Sequence, residues 1–185
     1  MGNKNCGKKH GHWGKNGAAG LLIHRYRDTG EVEMFLARHV RKESDNNVWG
    51  TIGGGINPGE TVQECALREA EEEVGIKFGD CCKPTALTVD DHDTWKYTTI
   101  FATPVEGETI PQPILNKHEI SKVAWVSRRE LGNYGLHQGF EFYLMPLLDI
   151  LLPPDIDRVK KTIVPPEKRD EVYGGKQSGN RRRKR

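Results

Sequence analysis

The segment GGINPGETVQECALREAEEEVGI, residues 54–76, constrains the fold more than any other stretch of this chain. Thr61, with Glu64 three residues on, forms a capping box in which each residue bonds a backbone N–H that the first helical turn leaves open. Gly75 suits the left-handed position that ends a helix. Between them Val62, Ala66, Ala70 and Val74 recur every four residues and make an apolar stripe that has to be buried. A helix over 61–74 is therefore predicted. The glycine-rich run before it, VWGTIGGGINPGE, reads as a loop too irregular for regular structure.

The same helix carries Glu69, Glu71, Glu72 and Glu73 just after Arg68. Like charges so close repel and weaken a helix. At about 100° per residue, Glu69, Glu72 and Glu73 share an arc of about 100° beside the apolar stripe, while Glu71 points elsewhere, into solvent. Three carboxylates on one face become favourable once a divalent cation sits among them, and hard oxygen ligands suit Mg²⁺ or Mn²⁺. The preceding glycines let backbone carbonyls and N–H groups come close to a metal or a phosphate. Together these features point to chemistry on a phosphate chain. A glutamate run taken alone would read as a solvated helix face, so the residues around it decide.

Strands are predicted at 17–26 and 31–40, joined through the hairpin turn RDTG, and again at 85–91, 95–105 and 122–127. A polar loop, RKESDNN, follows the second. Another helix is expected from about Phe140 to Leu152, before Pro153 and Pro154. Strands with two helices packed on them give an α+β class with a mixed sheet. Residues 1–16 read as a flexible basic arm, 17–152 as the folded domain and 153–185 as a Pro/Gly-rich basic tail that favours disorder.

Charge divides along the same boundary. From Pro153 onward 11 Lys+Arg face 5 Asp+Glu, a charge of +6, which leaves −4 on the rest. The closing NRRRKR reads first as a solubilising tail and second as a weak electrostatic grip on nucleic acid. No apolar run approaches the roughly 18 residues of a membrane helix, and Met1 to Lys15 lacks the apolar stretch of a secretory signal. Cys6, Cys65, Cys81 and Cys82 form no Cys-x-x-Cys pair, so reduced thiols in the cytoplasm are expected. Cys6, His10 and His12 leave a metal ligand set incomplete.

The spacing Gly54, Glu60, Arg68, Glu69, Ala70, Glu72, Glu73, Gly75, Ile76 resembles the signature of the Nudix hydrolase family, MutT-like branch. At average residue usage a chance match is on the order of 10⁻⁸ per starting position. Ala37-Arg38, WKYTTI (95–100), AWVS (124–127) and GLHQGF (135–140) extend the resemblance over residues 13 to 152. One departure is Ile52-Gly53-Gly54, where the family usually reads Pro-Gly-Gly.

The resemblance implies an α/β/α sandwich and Mg²⁺-dependent attack of water on a diphosphate linked to some group X, with Mn²⁺ as a substitute metal. It makes Glu69 and Glu73 the main metal ligands and Glu72 a further ligand or the general base. The carbonyl of Gly53 completes the shell. Glu60 and Arg68 would pair and hold the loop on the helix, with Gly54 and Gly75 structural in the motif. Arg38 is a candidate for substrate phosphate, Glu119 for a further carboxylate near the metal, and Trp95 and Tyr97 for stacking on a base. Core packing explains those two rings equally well, and Trp49 and Trp125 are left as core.

Asp91, His92 and Asp93 stand where members specialised for ADP-ribose tend to carry a proline. A small-molecule nucleotide is then the expected substrate, most simply a nucleoside triphosphate, oxidised forms included, cleaved to the monophosphate and pyrophosphate. The alternatives are hydrolysis of RNA 5′ ends, cap or triphosphate, aided by the basic tail, and a non-catalytic module that binds nucleotide or RNA. The oligomeric state is left open.

Overall fold

The computed structural model describes residues 14–40 and 48–155. The expectations for most of the N-terminal arm, for RKESDNN, for Cys6, His10 and His12, and for the basic tail beyond 155 lie outside the described residues.

Seven strands form one mixed sheet: β1 (Ala18–Tyr26), β2 (Val32–His39), β3 (Val48–Gly50), β4 (Ile52–Gly55), β5 (Cys82–Asp91), β6 (Lys96–Pro104) and β7 (Ile120–Ser127). The path across it is β3-β2-β1-β6-β5, with β4 also paired to β1 and β7 to β2. Only the pairing of β1 with β6 is parallel; the others are antiparallel. The boundaries of the five predicted strands shift by at most three residues, at ends where hydrogen-bonded strands ordinarily fray.

One expectation needs correcting. VWGTIGGGINPGE is not irregular throughout, because β3 and β4 both lie within it. A ladder bond uses only backbone groups, so glycines can pair where two backbones must approach closely. Gly53 sits against Ala19 and Gly20 so tightly that a Cβ would collide with the Ala19 carbonyl and the Gly20 Cα. Ile52, which departs from the usual proline, is fully buried in the core and paired with Leu21.

The pairing makes a fork. On the side away from β6, β1 pairs with β4 over Ala18–Leu21 and with β2 over Ile23–Tyr26. β2 leaves β1 after Phe35 and pairs with β3 over Ala37–His39. The sheet therefore splits between β1 and β2, and the glycine strands occupy the gap.

Helices cover both faces. On one face α1 (Val62–Val74) and α2 (Phe78–Cys81) pack Ala66, Ala70, Val74 and Phe78 against Leu21, Ile23, Phe35 and Ile52. The stripe read from the sequence is thus the buried one, and α1 has the Thr61–Glu64 capping box and Gly75 at φ +68°. On the other face Leu131, Phe140, Leu144 and Leu148 meet Leu22, Met34, Leu36, Phe101 and Val126. The architecture is an α/β/α sandwich. The expected second helix spans the right residues with an unexpected geometry: a π-type stretch over Phe140–Leu144, a 3₁₀ turn over Met145–Leu147 and α3 over Leu148–Leu151. Pro146 lacks the N–H a regular helix would need at that point, which accounts for the irregularity. Trp125 packs against the first core and Trp49 against the second, each partly exposed. No described helix is long and apolar enough to cross a membrane.

Candidate functional site

The site is built where the fork meets the last turns of α1. Ile56 donates its N–H to the Gly17 carbonyl at 3.1 Å, which makes residues 17 and 56 a hydrogen-bonded antiparallel pair. Such pairs alternate, so Gly20 and Gly53 face one another without exchanging ladder bonds. The N–H and carbonyl of Gly53 are then both turned away from β1. The N–H goes to Glu73 Oε2 at 3.2 Å, and the carbonyl is left on the same side. That is the orientation a backbone metal ligand at Gly53 needs.

Three glutamates of α1 sit around this point in different environments. Glu73 has 7 % of its side chain exposed and Glu72 56 %, with Glu69 close to Glu73 at 16 %. Burial pushes the Glu73 carboxyl up to about 8; the Gly53 N–H opposes this, and the charges of Glu69, Glu119 and Glu72 add to it. Burial also raises Glu69, against the pull of Arg68. Glu119, in the loop before β7, is held by Asn116 Nδ2 at 2.9 Å. It lies near enough for its charge to act on both Glu69 and Glu73. Glu71 is turned outward and pairs with Lys77 at 3.5 Å.

Arg68 balances part of this charge. Its guanidinium grips Glu60 through two bonds, Nε at 2.7 Å and Nη2 at 3.0 Å, and also reaches the Gly55 carbonyl at 3.0 Å. Nη1 continues to Glu69 at 2.7 Å and Glu72 at 3.1 Å. Arg68 therefore ties the loop after β4 to α1, as expected of the Glu60–Arg68 pair, and it also touches two of the three acidic residues. Gly54 makes room for Glu69: a Cβ there would overlap its carboxylate.

Among the described residues no three acidic, histidine or cysteine side chains are drawn together as a finished metal cage. The donor set nevertheless fits a hard divalent cation. It supplies carboxylates of Glu69, Glu72, Glu73 and Glu119 and a turned-out carbonyl, and its buried member is held protonated by burial first and by like charge second, both of which a cation would offset.

Beyond Gly53 the fork opens into a cleft of about 910 Å³ on the opposite face of the sheet. Its floor is Thr88 and Asp90 of β5, Tyr97 and Thr99 of β6, with Trp95 just before β6, and Thr51 between β3 and β4. Its roof is the segment from Leu136 to Leu147, pinned to β3 by Trp49 N–H to Gly135 O and His137 N–H to Trp49 O, both 2.8 Å. The second core ends at Ala86 and Phe101, and polar side chains then replace apolar ones on the same inward face. A sheet face under helices has no packing reason to become polar, so these residues mark a place for a ligand.

The expected residues are divided between the two ends. Trp95 and Tyr97 both line the cleft, their rings 6.3 Å apart and tilted by 36°. Trp95 is anchored by Nε1–H to the Gly14 carbonyl at 3.1 Å. Tyr97 hydroxyl is bonded to Thr51 Oγ1 at 2.9 Å, and burial raises it to about 12. Gly20 allows that contact, since a Cβ on it would strike the Tyr97 hydroxyl. Arg38 is half-buried and does not line the cleft, whereas its neighbour His39 does.

His39 was missed in the sequence. Its Nε2 lies 2.9 Å from the Thr51 carbonyl and its Nδ1 3.8 Å from Glu73 Oε1. Asp90, His92 and His137 were also missed as cleft residues. Nothing local marks them: β5 reaches the cleft through β6, which pairs with β1, and His137 through its backbone bond to Trp49 of β3.

A NUDIX domain model matches residues 15–148. A nucleoside triphosphate pyrophosphatase/Nudix hydrolase fusion protein of Bifidobacterium longum is 37 % identical over 131 residues, 69 % of this chain and 26 % of that one. A Mycobacterium tuberculosis protein named as a candidate 8-oxo-dGTP diphosphatase is 31 % identical over 135 residues, 70 % of this chain and 60 % of its own. This chain thus spans less than two thirds of either relative. Among solved structures, the Nudix hydrolase RenU from M. smegmatis superposes with a TM-score of 0.63 at 24 % identity, covering 75 % of this chain and 86 % of RenU, a likeness of fold. With the motif residues gathered at the fork and the family model spanning the folded domain, this chain belongs to the Nudix family.

Proposed function

We propose that this chain is a divalent-metal-dependent pyrophosphohydrolase that cleaves a nucleoside triphosphate, oxidised forms included, to the monophosphate and pyrophosphate. The observation that carries the reading is the position of Glu73. Its carboxylate is buried against the N–H of Gly53, under the charge of three further carboxylates, and Gly53 itself lines a cleft large enough for a nucleotide. A buried carboxylate cluster is costly unless something positive completes it, and a polyphosphate would be repelled by it alone. Relatives bearing names for nucleoside triphosphate pyrophosphatase and 8-oxo-dGTP diphosphatase activities support the substrate class.

Glu69, Glu73 and the Gly53 carbonyl would hold Mg²⁺, with Glu72 and Glu119 as further donors. When bound, the ion neutralises phosphate charge and lowers the pKa of water. The chain's own residues do the rest. Glu72, the most exposed of the three, can take a proton from the attacking water without being strongly basic. Arg68 and Gly54 fix the carboxylates of Glu72 and Glu69. The cleft beyond Gly53 receives the nucleoside and keeps the phosphates directed at the cluster.

The test is pyrophosphate release from a panel of nucleoside triphosphates, ADP-ribose, dinucleoside polyphosphates and capped RNA, with Mg²⁺ or Mn²⁺. Turnover of at least one triphosphate is expected, with Glu72→Gln and Glu73→Gln each lowering kcat by about 10²-fold or more. Full activity in EDTA, or in both variants, overturns the reading. Turnover confined to capped RNA would move the substrate class to RNA ends.

A further inference from the structure

The outer end of the cleft holds a group that neither the motif nor the packing explains. Asp90 sits on β5 at an inward position, opposite Tyr97 of β6, with 21 % of its side chain exposed. Its Oδ2 accepts from His92 Nε2 at 2.9 Å. His92 belongs to the hairpin turn between β5 and β6, where a side chain is ordinarily solvated, yet only 6 % of it is exposed. Trp95 at 5.5 Å and Tyr143 at 5.7 Å enclose its ring edge-on.

The turn itself is stiff. His92 N–H donates to the Trp95 carbonyl at 2.9 Å, Asp93 N–H to Asp91 Oδ1 at 2.9 Å, and Asp93 adopts φ +74°. The arrangement is a rigid turn in which two aromatic rings hold His92 against one carboxylate, placed on the cleft face away from the phosphate end. An ionised carboxylate accepts only, and it has about four lone-pair positions, of which His92 takes one. A ligand that fills the place must therefore bring N–H groups, and its flat body must suit aromatic rings.

Resting on the pyrophosphohydrolase reading, we propose that Asp90, oriented by His92, which Trp95 and Tyr143 hold in place, reads the base of the nucleotide and selects a guanine-type edge. Guanine offers N1–H and the 2-amino group side by side, two donors matched to a carboxylate. Adenine presents an acceptor, N1, beside its amino group and would meet the carboxylate lone pair to lone pair. Uracil and thymine offer one N–H between two carbonyls, and cytosine's ring nitrogen accepts. A paired-donor contact of this kind discriminates by about ten- to a hundredfold against the wrong base.

The experiment compares kcat/KM for GTP, ATP, CTP and UTP, and their deoxy forms, in the full-length wild type and in Asp90→Asn. The guanine nucleotides are expected to lead by about tenfold or more in the wild type. Asp90→Asn should lose that lead, mostly in KM, while the other bases change less than about threefold, because the phosphate end is untouched. Binding of GMP and AMP in EDTA, followed by NMR, reads the same preference without turnover, and thermal melting checks that the variant folds. Equal use of all bases by the wild type overturns the proposal, as does an equal loss across bases in Asp90→Asn with the fold intact. If no triphosphate is turned over but GMP still binds better than AMP in an Asp90-dependent way, the base reading stands and the pyrophosphohydrolase reading falls.

Discussion

Gly53 gives its backbone N–H to Glu73 Oε2 across 3.2 Å, so the strand before the motif helix and the helix's last turn share one hydrogen bond at the floor of the fork. Two consequences follow from that bond. It orients the Glu73 carboxylate, and it is too weak alone to keep a buried carboxylate ionised at neutral pH, since burial holds the group up at about 8.

Stability without metal should therefore depend on pH in a particular direction. Glu73 keeps its proton to about 8 when folded, against 4.5 when unfolded. Between those values the folded state binds more protons, so stability is greatest at the acid end and declines as pH rises through the window. Melting in EDTA from pH 5 to 8.5 should show this decline, and Glu73→Gln should flatten it. Saturating Mg²⁺ should reverse the loss at the alkaline end, because the cation binds the ionised form.

The adjacent glycines should fail in different ways. A Cβ on Gly54 meets first the carboxylate of Glu69, the far end of a flexible side chain that can swing aside. Gly54→Ala is expected to melt close to wild type while losing most of its divalent-ion affinity. A Cβ on Gly53 meets the Ala19 carbonyl and the Gly20 Cα, which cannot move without breaking the β1–β4 register. Gly53→Ala should cost about 1–3 kcal/mol of stability. Chemical denaturation alongside calorimetric Mg²⁺ titration separates the two.

Arg68 should resist the substitution usually called conservative. Lys cannot reproduce a fork that grips Glu60 twice while reaching the Gly55 carbonyl and Glu69. Arg68→Lys is expected to cost about 1–3 kcal/mol, charged hydrogen bonds being worth that order. Glu60→Gln in the Arg68→Lys background should then cost much less than in wild type, since both act through one contact. A double-mutant cycle by urea denaturation measures this, and full additivity would deny the coupling.

How much of this was legible beforehand depends on the range of the signal. The capping box, the stripe of α1, its acidic face and the Glu60–Arg68 pair are local in sequence, and the spacing alone carries them. The glycine strands were misread because their order comes from distant partners, Ala18–Leu21 and Ala37–His39, with no side-chain pattern of their own. His39 and Asp90 were invisible for the same reason. Neither carries a local signal, and only the distant pairing of their strands brings those positions to a cleft. Trp95 and Tyr97 were ambiguous between core and ligand wall, and they are in part both: each bonds to the framework while lining the cleft.

His24 offers a pH test far from the motif. It is 4 % exposed on β1, and its Nδ1 has no hydrogen-bond partner among the described residues. Burial lowers its pKa from 6.5 to about 4, against a backbone hydrogen bond at Ala102 that favours the charged form. The unfolded chain takes up a proton near 6.5 that the folded chain refuses until about 4, so stability is full above 6.5 and falls as pH drops through that interval. By pH 4 the loss attributable to His24 is about 3 kcal/mol. His24→Leu removes the titrating group and the unpaired nitrogen together, which should leave stability at pH 7 within about 1.5 kcal/mol of wild type. Urea denaturation of both proteins at pH 7 and pH 4.5 should find the variant gaining on the wild type as acid is added. A gap that stays constant with pH would mean that the folded protein takes up the His24 proton as readily as the unfolded chain does.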